Sequence, residues 1–168
     1  MKIFVSKPNS VTTGQEAFCN SLVQELRHRG FEPRTVGDTV LTYRAPLLKV
    51  KEEINACDGC IVLGLRQLHI LQAKLKEGTV DESDVVDTWG CTPWNHMEAV
   101  LAYALDRPML LIRERGVQAI GVLQTGVLPD YLVLEPPALD PAWLRDRLFV
   151  EPFNDWIKDV QQSAPPGH

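Results

Sequence analysis

The sequence has no excess of basic residues and no long apolar run. Its 168 residues include 17 lysines and arginines against 22 aspartates and glutamates, which gives a formal net charge of −5. Such a balance leaves no broad basic surface for a polyanion. No apolar stretch approaches the length of a membrane-spanning helix, and the run in "MKIFVSKPNS" is too short for a signal peptide. We therefore expect a cytoplasmic protein that binds neither nucleic acid nor a membrane.

Cysteine is also scarce. The four cysteines, Cys19, Cys57, Cys60 and Cys91, are too few for a disulfide framework. Cys57 and Cys60 have the spacing of a metal or redox pair, and Cys91 with His96 could formally complete a set of four zinc ligands. The second half of a zinc signature is missing, however, and small thiols at the entry to a buried strand commonly serve as packing. We predict free thiols and no metal.

Strand and helix patterns alternate along the chain. Apolar runs in "KIFVS", "CIVLGL", "RPMLLI" and "YLVLE", with a weaker run in "FEPRTV", predict about five strands. Continuous apolar runs are typical of parallel strands covered by helices on both faces. The pattern predicts an α/β fold, a flavodoxin-like open parallel sheet of about five strands with helices on both faces. Residues 1–160 are expected to form this single domain, and residues 161–168 a disordered tail.

Two segments fit the alternating pattern less well. The stretch "RQLHILQAKLKEGTVDESDVVDTWG" is long and polar, so we predict a surface insertion beside the site. Its acidic part could hold a divalent cation, but a solvated loop is the commoner arrangement. Pro152 lies inside the last helical pattern and is predicted to kink or split that helix.

Ligands of open α/β sheets bind outside the carboxyl ends of the strands. The segments that leave the apolar runs are "SKPNS", "GDTVLTYRAP", "GLRQ" and "CTPWNHME". They supply the candidate substrate-binding residues Ser6, Lys7, Tyr43, Gly64 and Arg66. Arg66 could bind a pyrophosphate through its planar guanidinium, or it could be a solvated surface arginine.

The last of these segments begins a helix that carries a single acidic residue. Thr92 can cap the helix, and Pro93 suits its first position. Helical spacing places Trp94 and Glu98 one turn apart, at the border of an apolar stripe. The predicted stripe consists of Met97, Leu101, Ala104 and Leu105. Glu98 is either a partly buried residue paired with an arginine, or a catalytic carboxylate with Trp94 forming part of its wall.

The segment "TPWNHMEAVLAYALDRPMLLI" resembles the TIR-domain helix with a tryptophan, three residues and a glutamate, together with the strand after it. "IFVS" is similar to the first TIR strand, and "INACDGCIVLGL" to the central one. The resemblance implies cleavage of NAD between ribose and nicotinamide, by hydrolysis or cyclisation, in signalling or defence. It implies that Glu98 is catalytic, that Trp94 lies beside the substrate, and that there is no cofactor apart from NAD as substrate. It also implies self-association. Nicotinamide leaves a pyridinium as a neutral molecule, so one carboxylate suffices, unlike the pair in ordinary glycosidases.

Part of the TIR pattern is absent. The loop after the second TIR strand often carries Arg-Asp and Pro-Gly, whereas this chain has "TYRAP", so Tyr43 and Arg44 are expected to border the site differently.

A second resemblance is to nucleoside 2-deoxyribosyltransferases, through "GQEAFCNSLVQELRHRGFEP", "CIVLGL" and "EAVLAYALDRPMLLI". It implies that Glu98 attacks a deoxyribosyl carbon as a nucleophile. The glutamate of that family usually follows a Gly-Thr pair, which "CTPWNHME" lacks, and the tryptophan favours the TIR interpretation. Many TIR domains are adaptors, however, so a non-catalytic adaptor or nucleotide-binding sensor is a third hypothesis. Both enzyme hypotheses have a nucleotide or nucleoside as ligand and Glu98 as the acting residue.

Overall fold

The computed structural model describes residues 1–9, 11–35, 46–128 and 131–163, and its centre is a parallel sheet of five strands in the order β2-β1-β3-β6-β7. The strands of this sheet are β1 (Lys2–Ser6), β2 (Glu32–Arg34), β3 (Gly59–Gly64), β6 (Met109–Arg113) and β7 (Val133–Leu134). The helices are α1 (Thr13–His28), α2 (Pro46–Asn55), α3 (Pro93–Ala104) and α4 (Arg147–Ser163), with short 3-10 turns at Gly121–Leu123 and Pro141–Arg145. The predicted flavodoxin-like fold is confirmed.

Strand β3 lies at the centre of the sheet, as its apolar run predicts. All six of its residues are buried, and it pairs in parallel with β1 on one side and β6 on the other. Ser6 lies opposite Val62 and Gly64 lies opposite Arg113, so the carboxyl ends of the three strands meet at one edge. The edge strand β7 is short and consists of only two residues.

Helices cover both faces of the sheet, and each face has its own apolar core. Helices α1 and α4 cover the first face, where Phe18 and Phe153 pack against Val5 and Leu63. Helices α2 and α3 cover the second face, where Ile54 packs with residues of β1 and β3. None of the helices in the described residues is long and apolar enough to cross a bilayer.

The predicted solvated loop is wrong, because the long insertion forms an antiparallel β-hairpin. Its strands are β4 (Leu68–Leu75) and β5 (Ser83–Gly90). Most of its residues are exposed on both faces, so no apolar alternation marked the strands in the sequence. Its acidic residues pair with its own lysines, since Lys74 contacts Glu82 and Lys76 contacts Asp81. The insertion is a surface feature, as predicted, but it is an ordered one.

The last helical pattern is interrupted before Pro152. The chain is extended at Asp146, whose carboxylate accepts a hydrogen bond of 2.8 Å from the amide of Leu148 and so caps α4. Pro152 lies inside α4, which continues to Ser163. The first three residues of the predicted tail are therefore helical, and residues 164–168 lie outside the described part of the chain.

The cysteines are free thiols in the structure. Cys57 and Cys60 are buried in the second core, where burial raises the pKa of Cys57 to about 11 and that of Cys60 well above its ordinary value. Burial likewise raises the pKa of Cys19 to about 11, and it also raises the pKa of Cys91, although Cys91 is only half-buried. Within the described ranges, no three His, Cys, Asp or Glu side chains are grouped to hold a metal ion.

We expect native protein to expose one thiol, that of Cys91, to a water-soluble thiol reagent, because the other three thiols are buried. All four should react after unfolding in denaturant. Elemental analysis of the purified protein should find no stoichiometric zinc. Bound zinc, or rapid reaction of two or more thiols in the native state, would contradict this assignment.

Candidate active site

The first turn of α3 lies at the carboxyl edge of the sheet. Thr92 is the N-cap residue with extended backbone, and its hydroxyl oxygen accepts a hydrogen bond of 3.4 Å from the Asn95 amide. Pro93 occupies the first helical position, where no amide donor is needed. The side chain of Asn95 reaches β1 and donates a 2.9 Å hydrogen bond to the hydroxyl of Ser6, the last residue of that strand. The start of this helix, and its position beside the carboxyl ends of the strands, were predicted correctly from the sequence.

The buried face of α3 is not the predicted apolar stripe. The residues that face the sheet are Asn95, Glu98, Ala99 and Ala102. Met97, Leu101 and Leu105 are only partly buried, and Ala104 is exposed. The small alanine side chains permit close approach of the helix to the sheet, and the longer apolar residues pack along its flank. Glu98 therefore lies on the buried face instead of at its border.

Glu98 is a buried carboxylate with a hydroxyl partner. Its residue exposure is 9%, while Ser6 and Asn95 are each 1% exposed. Burial raises the pKa of Glu98 above its ordinary value of 4.5, and a hydrogen bond from Ser6 partly offsets this by lowering the pKa. Neither cause involves an arginine, so the alternative of an arginine-paired glutamate has no support in the described residues. A carboxylate with raised pKa at a strand edge is typical of a functional group.

Trp94 lies one turn before Glu98 and is exposed, with 42% of its surface accessible. Residues four apart lie on the same side of a helix, so the exposed Trp94 and the buried Glu98 are neighbours at the start of α3. A bound ring could therefore stack on Trp94 while its attached sugar lies near Glu98. The role of Trp94 as a substrate-binding residue remains a prediction.

Ser6 and Lys7 have different surroundings. Ser6 follows Phe4 on the side of α2 and α3 and contacts the site. Lys7 lies just beyond β1, and its positive charge partly offsets the effect of burial on the pKa of Cys19 in α1. Of the two residues predicted from the exit of the first strand, only Ser6 is brought to Glu98.

Gly64 and Arg66 have packing roles at the end of β3. A β-carbon on Gly64 would lie 2.4 Å from Leu123 Cδ1, so glycine is needed there for close packing. The guanidinium of Arg66 donates to the carbonyl of Arg115 at 2.8 Å and lies over the ring of Trp89, 5.8 Å from its centre. Substrate binding by these two residues is therefore a prediction that would require Arg66 to leave existing partners.

His96 lies in α3 itself and contacts Cys91, which precedes the helix. His96 Nε2 lies 3.3 Å from Cys91 Sγ, and burial lowers the pKa of His96, which favours a neutral imidazole. Tyr43, predicted as a substrate-binding residue, and Arg44 lie outside the described residues.

The residue that the sequence analysis missed is Asn95. It is buried between Ser6 and the N-cap, with its amide oxygen 2.8 Å from the Thr92 hydroxyl. A signal was present, because positions 92, 95 and 98 are spaced by three and share one helical face. A polar residue beside a candidate catalytic acid on that face could have been identified as a further member of the site.

Comparisons with known proteins give a shared fold. No protein-family model matches the chain, and no curated protein matches it. Among solved structures, the CMP N-glycosidase BcmB of Clostridium botulinum is similar, with a TM-score of 0.53 and 14% sequence identity. The similarity covers 89% of this chain and 99% of that one. At this identity the comparison shows the fold alone.

The raised pKa of Glu98 predicts a dependence of stability on pH. Folding penalises the ionised form of this residue, so its cost to stability is present above the raised pKa and disappears below the unfolded value near 4.5. Glu98→Gln should therefore melt at a higher temperature than the wild type at pH 8, with the difference vanishing near pH 4. The control is Glu151→Gln, which changes an exposed residue of α4. A lower melting temperature of Glu98→Gln at pH 8 would show that burial of the ionised carboxylate does not destabilise the folded protein.

Proposed function

We propose that the protein is an enzyme that cleaves the N-glycosidic bond between the ribose and the base of a nucleotide, with Glu98 as the acting carboxylate. The observation that carries this proposal is the burial of Glu98 at the carboxyl edge of a parallel sheet, held by Ser6 and flanked by an exposed tryptophan. The similarity of fold to a CMP N-glycosidase supports it. So does the TIR resemblance, which assigns the same chemistry to the same residue.

The chemistry suits a single buried carboxylate. Departure of the base leaves positive charge on the ribose ring in an oxocarbenium-like transition state. A carboxylate removed from water interacts more strongly with that charge than a solvated one does. Since the charge develops only as the bond breaks, the interaction lowers the barrier more than it tightens ground-state binding. Glu98 could also orient ribose hydroxyls toward the reacting carbon.

NAD is the substrate that we propose first. Its nicotinamide leaves as a neutral molecule, so the reaction needs no general acid. The nearest titratable candidate on α3, His96, has a lowered pKa and carries little positive charge near neutral pH. A site with an ionised carboxylate and a neutral imidazole suits a pyridinium leaving group.

A nucleoside monophosphate is the second candidate, because the similar structure is of an enzyme named for CMP. Cytosine leaves as an anion unless it is protonated, so this reaction would require an acid in addition to Glu98. Deoxyribosyl transfer and a non-catalytic, self-associating adaptor remain the alternatives, and each predicts a different product pattern.

Product chromatography tests the proposal. Purified protein, at low and high concentration, should release nicotinamide from NAD, and Glu98→Gln should lower the rate about a hundredfold or more, since glutamine keeps the shape but loses the charge. Parallel incubations with CMP, and with a deoxynucleoside plus a free base, identify the other enzyme activities. The matched control, Glu151→Gln, should retain the wild-type rate. If no nucleotide or nucleoside is cleaved at any concentration, the enzyme proposal is wrong.

Trp94→Ala should raise the KM for the nucleotide about tenfold while changing kcat less, because a stacked ring is worth roughly 1–3 kcal/mol of binding. Tyr103→Ala provides the control, as Tyr103 is a similarly exposed aromatic residue near the other end of α3. Equal effects of the two substitutions would show that Trp94 does not contact the substrate.

A further inference from the structure

We propose that Asn95 is a positioning residue for the reaction: it orients the Ser6 hydroxyl so that its proton points at the Glu98 carboxylate. This inference rests on the proposed function, and it assigns to Asn95 and Thr92 a role that neither resemblance implies. Asn95 is buried beneath the first turn of α3, so it acts through Ser6 and not by contact with substrate.

Three side chains form a directed series of hydrogen bonds that ends at the carboxylate. The Thr92 hydroxyl donates to Asn95 Oδ1 at 2.8 Å. Asn95 Nδ2 then donates to Ser6 Oγ at 2.9 Å. Ser6 is the side chain whose hydrogen bonding lowers the pKa of Glu98, so we place its remaining proton on that carboxylate. Each side chain donates a hydrogen bond to the next one, so all the hydrogen bonds point from Thr92 toward Glu98.

The N-cap of α3 determines this direction. The Thr92 oxygen accepts from the Asn95 backbone amide, which leaves the Thr92 proton free to point at Asn95 Oδ1. With its oxygen engaged, the Asn95 amide presents its NH₂ group to Ser6. Ser6 Oγ then has an occupied lone pair, and its one proton remains for Glu98. A reversed asparagine amide would accept the Ser6 proton and deprive Glu98 of its donor.

This arrangement accounts for an asparagine in a position that faces the core. Burying an amide is costly unless its polar atoms are paired, and alanines occupy the neighbouring positions of the same face. A purely structural residue could be apolar here. Asparagine combines an acceptor for Thr92 with a donor for Ser6, which neither aspartate nor leucine of similar size can do.

Among the described residues, Ser6 is the hydrogen-bond partner that lowers the pKa of Glu98. On β3 the facing titratable group is Cys60, whose buried, protonated thiol is at most a weak donor. Helix α2 contributes the apolar Val50 and Ile54 to the same core. On α3 itself, His96 contacts Cys91. Ser6 is therefore the neighbour through which Asn95 can affect the carboxylate.

The test is a double-mutant cycle that combines Asn95→Asp and Ser6→Ala. Aspartate has the size of asparagine but only accepts, so it captures the Ser6 proton, and it also adds a charge. Each single variant should lower kcat about tenfold, with KM changed less than threefold, as expected for loss of a hydrogen bond to a charged group. In the Ser6→Ala background, Asn95→Asp should have a clearly smaller effect, because the hydroxyl that it redirects is gone.

A second pair of variants tests the N-cap. Thr92→Val removes the hydroxyl at nearly constant shape and should also lower kcat. Thr12→Val removes the equivalent N-cap of α1, where Thr12 accepts from Gln15, and should lower stability without lowering kcat. Equal kcat values for Thr92→Val and the wild type would overturn the role of the N-cap.

A readout independent of activity is the NMR titration of the Glu98 side-chain carboxyl in carbon-13-labelled protein. Its midpoint should move to higher pH in Ser6→Ala, Asn95→Asp and Thr92→Val, since each removes the proton offered to the carboxylate. If wild-type protein cleaves no nucleotide, the proposed function fails, yet this titration still tests the series. If the wild type is active but the kcat losses of Asn95→Asp and Ser6→Ala multiply, or the midpoints do not move, the positioning role is wrong.

Discussion

The site depends on one constraint: the Glu98 carboxylate is held out of water, and among the described residues its hydrogen-bond donor is the neutral hydroxyl of Ser6. Burial makes the ionised form of Glu98 costly, and the Ser6 hydrogen bond recovers part of that cost. An arginine partner would stabilise the charge further, but it would also neutralise the field that a cationic transition state could use. A hydroxyl leaves that field available. Under the proposed function, the folded chain would thus give up stability at the place where it gains reactivity.

The architecture provides this constraint from distant parts of the sequence. Ser6 ends the first strand, whereas Glu98 lies in a helix that follows the β-hairpin, 92 positions later. Parallel pairing of β1 with β3 brings the Ser6 end of β1 to the edge where α3 begins. Ala99 and Ala102 then allow the helix to approach closely enough for Asn95 and Glu98 to reach Ser6. Larger residues at these two positions would separate the acid from its donor without changing the fold class.

The fold could be predicted from the sequence because its main signals are local. The continuous apolar run of β3 and the Thr92-Pro93 helix start depend on neighbouring residues only, and both were predicted correctly. The face of α3 that meets the sheet was predicted wrongly. The spacing of large apolar residues such as Met97 and Leu101 favoured one face of the helix, whereas close packing against the sheet favours the face that carries the alanines. The hairpin was missed because neither of its faces is buried, so no alternation marks its strands. The partner of Glu98 could not be read from the sequence at all, since it depends on which strand lies beneath the helix.

The ionised form of Glu98 is the active species in the proposed reaction, so the most direct test compares two titrations of wild-type protein. One is the pH dependence of kcat/KM for the nucleotide that the enzyme cleaves; the other is the NMR titration of the Glu98 carboxyl in the same buffer. The acid limb of the rate profile should coincide with the Glu98 midpoint, and both should lie above the ordinary pKa of 4.5. A rate that stays constant while Glu98 takes up its proton would contradict the claim that this carboxylate carries the reaction.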